Sequence, residues 1–241
     1  MTNLAEAIVI DNGSYSCKAG FSEDDMPRVE IPTVLGKPSS KGEEENEDKD
    51  DDELNQLDIF VGDEAISKGG ILDLKYPIIK GRIEDFDTMK KLWNHIFYNE
   101  LLAEAKSHPV IVSESPFAPY EDKLKMAEAL FEYLNVENLY MTNTSTLALY
   151  ANGRTTGIVV DIGYEMTSCV PIYEGFVLNH AVTKIEMGGY HLTQFMADLV
   201  NEHFEEGKKY INKTCLRLWY NKTFKLFVHV LICRLHHYKA C

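Results

Sequence analysis

The chain has 241 residues, of which 45% are hydrophobic and 26% charged, a composition typical of a globular protein with one large or two small domains. Its formal net charge of −14 argues against nucleic-acid binding that depends on many phosphate contacts. The charge is unevenly spread, because residues 207–241 contain eight lysines and arginines and no acidic residue.

No targeting or membrane segment is predicted. The amino terminus lacks a basic segment followed by a long apolar run, and no stretch reaches the roughly 18 apolar residues of a membrane helix. The five cysteines are scattered, without CxxC pairs, which favours a reducing compartment such as the cytosol or nucleus.

The first predicted element is a β-hairpin. An apolar run at Ala5–Ile10 leads into the turn residues Asp11–Ser14, and a second strand follows at Cys17–Phe21. Glu30–Leu35 is predicted as an edge strand because it contains Pro32.

An acidic block interrupts the predicted elements. Nine of residues 43–53 are acidic, so residues 39–58 are predicted to form a solvated, disordered loop. Order is expected to return at Phe60.

Helices and strands alternate from there on, which indicates an α/β fold. The apolar spacing predicts a helix from Phe86 with Asp85 or Asp87 as N-cap, and an amphipathic helix that begins near Pro119. The buried stripe of that second helix is predicted to be Leu124, Ala127, Leu130, Phe131 and Leu134. The remaining predicted elements are strands at Val110–Val112, Ile158–Val160, Thr167–Tyr173 and Phe176–His180 and helices at Ser145–Ala151 and Leu192–Phe204.

One pattern occurs twice. A short strand runs into Asp-x-Gly at Asp11–Gly13, and the same arrangement recurs 150 residues later at Asp161–Gly163. Glycine lets backbone N–H groups approach an anion, and an aspartate at a strand end is suited to hold water around Mg²⁺. The pattern therefore indicates two similar lobes and leaves two interpretations of the turns open, binding of nucleotide phosphates or hairpin turns without a ligand.

Five longer stretches resemble actin and the actin-related proteins. They are DNGSYSCKAGF (11–21), VGDEAISKGGILDLKYPI (61–78), WNHIFYNEL (93–101), ANGRTTGIVVDIG (151–163) and VPIYEGFVLNHA (170–181). The resemblance is collinear from Ala5 to His203. It implies the two-lobed α/β fold shared with sugar kinases and heat-shock chaperone ATPases.

The resemblance also implies a site for ATP or ADP with Mg²⁺. The cofactor-binding residues carried over are Asp11, Gly13, Ser14 and Lys18 in the first loop, Asp161 and Gly163 in the second, and Gly189 near the nucleotide. Asp11 and Asp161 would contact the metal through water.

Several positions depart from the family pattern. Tyr15 replaces a glycine, Thr144 replaces the glutamine that positions water, and Tyr164 with Glu165 replaces an Asp-Gly pair. These changes predict weak or absent nucleotide binding and no catalytic residue, so hydrolysis is not expected.

The domain organisation follows from the resemblance. Residues 1–150 are expected to form the first actin-like lobe, including the 39–58 insertion, and 151–204 the start of an incomplete second lobe. Residues 205–241 are an unmatched basic, aromatic tail, interpreted either as a misread or frameshifted end or as a natural tail.

The functional prediction is a structural, cytoskeletal actin-related protein that binds protein partners, including actin or other actin-related proteins. It is expected in the cytoplasm, without membrane or direct nucleic-acid binding, and it is not expected to polymerise alone. Two alternatives are a nuclear subunit of a chromatin-remodelling or histone-acetylating assembly and an active actin-type ATPase.

Overall fold

Alternating strands and helices build both halves of the molecule, as the sequence predicts. The computed structural model describes residues 6–38, 59–203 and 231–233. The described residues fall into two units. Unit 1 contains those up to Val112 together with Ala118–Met141, and unit 2 contains Ser113–Phe117 and those from Thr142 onward.

Unit 1 begins with a series of short strands. Its strands are β1 (Ile8–Asn12), β2 (Ser16–Phe21), β3 (Val29–Pro32), β4 (Leu35–Pro38), β5 (Phe60–Val61), β6 (Leu72–Lys75), β7 (Ile78–Ile79) and β8 (Arg82–Ile83). Strands β9 (Val110–Glu114) and β10 (Leu139–Asn143) end in residues assigned to unit 2. The helices are α1 (Gly62–Ser67), α2 (Phe86–His95) and α3 (Tyr120–Glu128), with π turns at Ile96–Glu100 and Ala129–Tyr133 and a 3₁₀ turn at Ala105–Ser107.

The main sheet of unit 1 has the strand order β10-β9-β1-β2-β3. Strand β1 lies at its centre, antiparallel to β2 and parallel to β9. Helix α2 contributes Met89, Leu92 and Trp93 to the same core as Ile8 and Ile10 of β1, all with no exposed surface. Burial of side chains of this size stabilises the fold by about 2 kcal/mol each.

The predicted edge strand at Glu30–Leu35 is divided between two sheets. Strand β3 is the edge of the main sheet, as expected, but it ends at Pro32, and β4 belongs to the separate sheet β5-β4-β6. The Val34 N–H donates to the Pro32 carbonyl at 2.8 Å, which closes a tight turn between the two strands.

The helix that begins after Pro119 is confirmed, but its predicted buried stripe is wrong at two positions. Leu124 and Phe131 are 52% and 45% exposed. The buried face instead runs through Asp122, Met126 and Ala129. Asp122 accepts two hydrogen bonds from the Arg82 guanidinium, at 2.8 and 3.2 Å, and this pairing lets a carboxylate occupy a position that the pattern reserves for an apolar residue.

Unit 2 is built on a second sheet. Its elements are α4 (Thr144–Ala151), β11 (Gly157–Ile162), β12 (Thr167–Tyr173), β13 (Phe176–Val177), a 3₁₀ turn (Asn179–Ala181), β14 (Thr183–Ile185), α5 (Gly189–His203) and β15 (Leu231–Cys233). The strand order is β13-β12-β11-β15, and β14 also pairs with β12. Leu149 of α4 packs with Val159, Val170 and Ile172 in the core of this unit.

The strand predicted at Phe176–His180 is shorter than expected. Strand β13 ends at Val177 and pairs only with Ile172 and Tyr173 of β12. Residues Thr167–Cys169 of β12 pair with β14 instead. The other helices and strands predicted within the described residues are present, with ends that shift by up to three residues.

Two predicted features lie outside the described residues. They are the acidic block at 39–58 and the tail at 205–241, of which only Leu231–Cys233 is described. Within the described part of the chain, no helix has the length and apolar character needed to cross a membrane.

Helix α2 begins with a side-chain cap. The Asp85 carboxylate accepts hydrogen bonds from the Thr88 amide at 2.9 Å and the Thr88 hydroxyl at 2.6 Å. Burial raises the pKa of Asp85, but the hydrogen bonds from Thr88 outweigh it and hold the pKa below its ordinary value.

We expect Asp85→Ala to lower the free energy of unfolding by about 1 kcal/mol at neutral pH, because it removes this N-cap. A lowered folded-state pKa stabilises the protein above the unfolded-state value of about 3.9, and that contribution is lost as the pH falls through the folded-state value. The difference between the two proteins in urea unfolding should therefore shrink below about pH 4. Asp87→Ala is the control, because the Asp87 carboxylate is exposed, and a larger loss there would contradict the assignment.

Candidate functional site

The two predicted hairpins are present, and their strands are paired in the same way up to the turn. The last pair between β1 and β2 is Asn12 with Cys17, and the last pair between β11 and β12 is Ile162 with Thr167. Each hairpin therefore closes through four residues, Gly13–Ser16 (the first loop) and Gly163–Met166 (the second loop). Asp11 and Asp161 occupy the same position, two residues before the glycine of each loop.

Each loop begins with a glycine that has a backbone carbonyl beside it. A Cβ on Gly13 would lie 2.6 Å from the carbonyl oxygen of Ser16, and one on Gly163 would lie 3.0 Å from that of Met166. A side chain at either position would force the turn to open. The glycines predicted for phosphate binding are thus also required for the shape of the loops.

The first loop is anchored by Thr33 and by the turn between β7 and β8. The Thr33 hydroxyl donates to the Gly13 carbonyl at 2.7 Å, and the Thr33 N–H donates to the Tyr15 carbonyl at 2.9 Å. The Ser14 hydroxyl accepts from the Gly81 N–H at 3.0 Å. Because a hydroxyl both accepts and donates, Ser14 can still donate its proton to an anion.

Lys18 lies directly across the ladder from Asp11. Directly paired residues of neighbouring strands project from the same face of the sheet. The structure thus places a positive and a negative side chain together on the two strands that flank the first loop.

Asn12 is a site residue that the sequence reasoning missed. Its side-chain oxygen accepts from the Trp93 indole N–H at 3.0 Å and from the Cys17 thiol at 3.6 Å. Burial, and then the charge of Asp11, raise the pKa of Cys17, so the thiol stays protonated and able to donate. Trp93 is fully buried, and its contact with the end of β1 spans 81 residues and has no local signal.

The second loop is joined to the start of α5. The Gly189 N–H donates to the Gly163 carbonyl at 2.9 Å, and the Tyr190 N–H donates to the Tyr164 carbonyl at 2.7 Å. The structure therefore brings together Gly163 and Gly189, which the sequence predicted as separate parts of the site. It also commits their amides to protein carbonyls, because the Gly163 N–H donates to Met166 at 2.9 Å.

Gly188, which the prediction did not include, has no room for a side chain. A Cβ there would lie 2.5 to 2.7 Å from the Gly163 carbonyl oxygen and the Tyr164 carbonyl group. The sequence signal was the pair Gly188-Gly189 ahead of a helix, of which only the second member was assigned.

Thr144 is the first residue of α4. Its hydroxyl donates to the Glu114 carbonyl at 3.1 Å, while the Asn143 side chain caps the helix by accepting from the Ser145 N–H at 2.8 Å. A threonine has one hydroxyl proton, so in this arrangement Thr144 has none to donate to a phosphate.

Each hairpin carries one aspartate near its loop, and these carboxylates are the predicted metal contacts. Within the described residues, no group of three or more His, Cys, Asp or Glu side chains is placed to hold a metal. Mg²⁺ keeps several waters and is commonly bound through one or two carboxylates together with substrate phosphates. Each hairpin by itself supplies one such carboxylate, Asp11 in unit 1 and Asp161 in unit 2.

Two units of alternating strands and helices, each with such a hairpin, place the protein in the actin-like class of α/β folds. The chain belongs to the actin family, whose model, described as Actin, matches residues 2–215. The match takes in residues 205–215, the first part of the segment that the sequence reasoning assigned to the tail.

We expect Gly188→Ala to lower the free energy of unfolding by about 1–3 kcal/mol, because the methyl group must displace two backbone carbonyls. Gly70→Ala is the matched control, since a Cβ at Gly70 meets no heavy atom within 4 Å. Urea unfolding measures both variants. Equal midpoints would show that α5 does not pack closely against the second loop.

Proposed function

We propose that this actin-family protein binds ATP or ADP with Mg²⁺ weakly through its hairpin loops and does not hydrolyse the nucleotide. The observation that carries the proposal is the shared geometry of the hairpins. In both hairpins the last strand pair, the loop length and the position of the aspartate are the same. Each loop also begins with a glycine whose Cβ position is blocked by a backbone carbonyl. Such loops are suited to phosphates, which accept hydrogen bonds from backbone N–H groups.

The first loop would contribute most of the phosphate contacts. Ser14 can donate its hydroxyl proton while Gly81 holds its oxygen, and Lys18 supplies a positive charge beside Asp11. In the second loop the Gly163 amide is committed to Met166, so that loop would act through its shape and through Asp161. Fewer available donors support weak rather than tight binding.

Bound Mg²⁺ would neutralise part of the phosphate charge. On the first hairpin, Asp11 would orient water molecules of its hydration shell, and Lys18 would balance the remaining charge. The actin resemblance gives Asp161 of the second hairpin the same role towards water.

The environment of Thr144 supports the absence of hydrolysis. Orienting a water for attack on a phosphate requires a side chain that contacts the water and the phosphate together. The Thr144 hydroxyl proton is used by Glu114, and the side chain is shorter than the glutamine that the actin resemblance places here.

We expect titration with a fluorescent ATP analogue in Mg²⁺ to give a dissociation constant in the micromolar range or weaker, the range for a few solvent-exposed hydrogen bonds. Asp161→Ala and Asp11→Ala should weaken binding further, whereas Asp198→Ala, at an exposed position of α5, should not. Phosphate release should equal that of a protein-free blank. Release above the blank that Asp161→Ala abolishes would overturn the proposal.

We further propose that the protein acts as a structural subunit, with actin or other actin-related proteins as partners, and does not assemble into filaments alone. Family membership supports this role. The acidic block at 43–53 supports the second part, because the actin resemblance places it at the loop that contacts the next subunit, and nine acidic residues would repel a second copy.

Sedimentation of the pure protein in Mg²⁺ and salt should therefore leave it in the supernatant, while conventional actin under the same conditions sediments. A variant in which the acidic residues of 43–53 are replaced by serine tests whether charge is the cause. Ordered, sedimentable polymers of the unaltered chain would contradict the proposal.

A further inference from the structure

His191 holds the chain where α5 meets the second loop. Its Nδ1 accepts a hydrogen bond from the Gly188 N–H at 3.2 Å. A backbone N–H can only donate, so Nδ1 carries no proton and the neutral ring is protonated at Nε2. This bond is one half of a capping box, the half in which a side chain in the first turn of a helix reaches back to the amide that precedes the helix.

Three consecutive amides are divided between this ring and the second loop. Gly188 donates to His191, whereas Gly189 and Tyr190 donate to the carbonyls of Gly163 and Tyr164. Since Gly188 has no space for a Cβ against those carbonyls, a small shift of its backbone moves the loop itself. The His191 ring therefore binds the amide next to the two amides that hold the second loop.

Neighbouring aromatic rings orient His191. Its ring meets that of Tyr190 edge-on at 5.4 Å, and the Tyr190 ring lies 5.6 Å from that of Tyr164. The row starts in the second loop and ends on α5, and rotation of the imidazole would disturb its edge-on contact with Tyr190.

We infer that His191 is a positioning residue for nucleotide binding at the second loop, an inference that rests on the proposed function. It acts through Gly188 and needs no contact with the ligand. Any side chain that places a hydrogen-bond acceptor at the same point should serve, and one without an acceptor should not.

The experiment compares the unaltered chain with His191→Gln and His191→Ala. Glutamine has an acceptor oxygen that can reach back to the Gly188 amide, as in a capping box, and alanine has none. His180→Ala is the matched control, an exposed histidine in the same unit but outside α5 and the second hairpin. Hydrogen exchange at residues 188–190 is measured without ligand, and affinity is measured with the fluorescent ATP analogue in Mg²⁺.

Loss of one hydrogen bond corresponds to a change of about fivefold. His191→Ala should therefore speed exchange at Gly188 and weaken binding of the analogue by about that factor. His191→Gln and His180→Ala should resemble the unaltered chain in both measurements. The ¹⁵N shifts of His191 should show the Nε2–H tautomer.

Two results would overturn the inference: unchanged exchange at Gly188 in His191→Ala, or a glutamine variant as impaired as the alanine variant. If His191→Ala does not fold, His191→Gln decides, because it must then fold and protect Gly188. Failure of the unaltered chain to bind the analogue overturns the proposed function instead, and the exchange data still test whether His191 positions the loop.

Discussion

At Gly13, Gly163 and Gly188, a carbonyl group lies within 3.0 Å of the place where a side chain would begin. At Gly13 and Gly163 that group belongs to the loop itself, and at Gly188 it belongs to the loop against which a helix packs. A side chain at any of these positions would meet main-chain atoms, which cannot move aside by rotating a side-chain bond. The hydrogen bonds of the two hairpins, and the direction in which α5 leaves the second one, depend on these close approaches.

The two hairpins have the same form but are supported differently. The first is held by side chains from other parts of unit 1, with Thr33 bonded to Gly13 and Trp93 bonded to Asn12. The second is held by main-chain bonds from the start of α5, with His191 as the adjoining side chain. One loop is therefore sensitive to substitutions distant in sequence, and the other to changes within a few residues of Gly188.

Much of this fold could be predicted because neighbouring residues in the sequence determine its hairpins and helix starts. The hairpins follow from apolar runs around Asp-x-Gly, and the cap at Asp85 follows from its place before a helical stripe. The predictions were wrong where a distant residue changed the balance, as at Asp122, which Arg82 allows to be buried in place of Leu124. Nothing local could have indicated that the indole of Trp93 bonds to Asn12 across 81 residues.

The hydrogen bond between Trp93 and Asn12 also links the fluorescence of Trp93 to the end of β1, next to the first loop. Indole emission responds to the hydrogen bond at its nitrogen, and Trp93 has no exposed surface through which water could change that emission directly. The chain has two tryptophans, and the other, Trp219, lies outside the described residues. Once Trp219 is replaced by phenylalanine, all tryptophan emission comes from Trp93. Its wavelength and intensity then report changes at Asn12, where β1 enters the first loop.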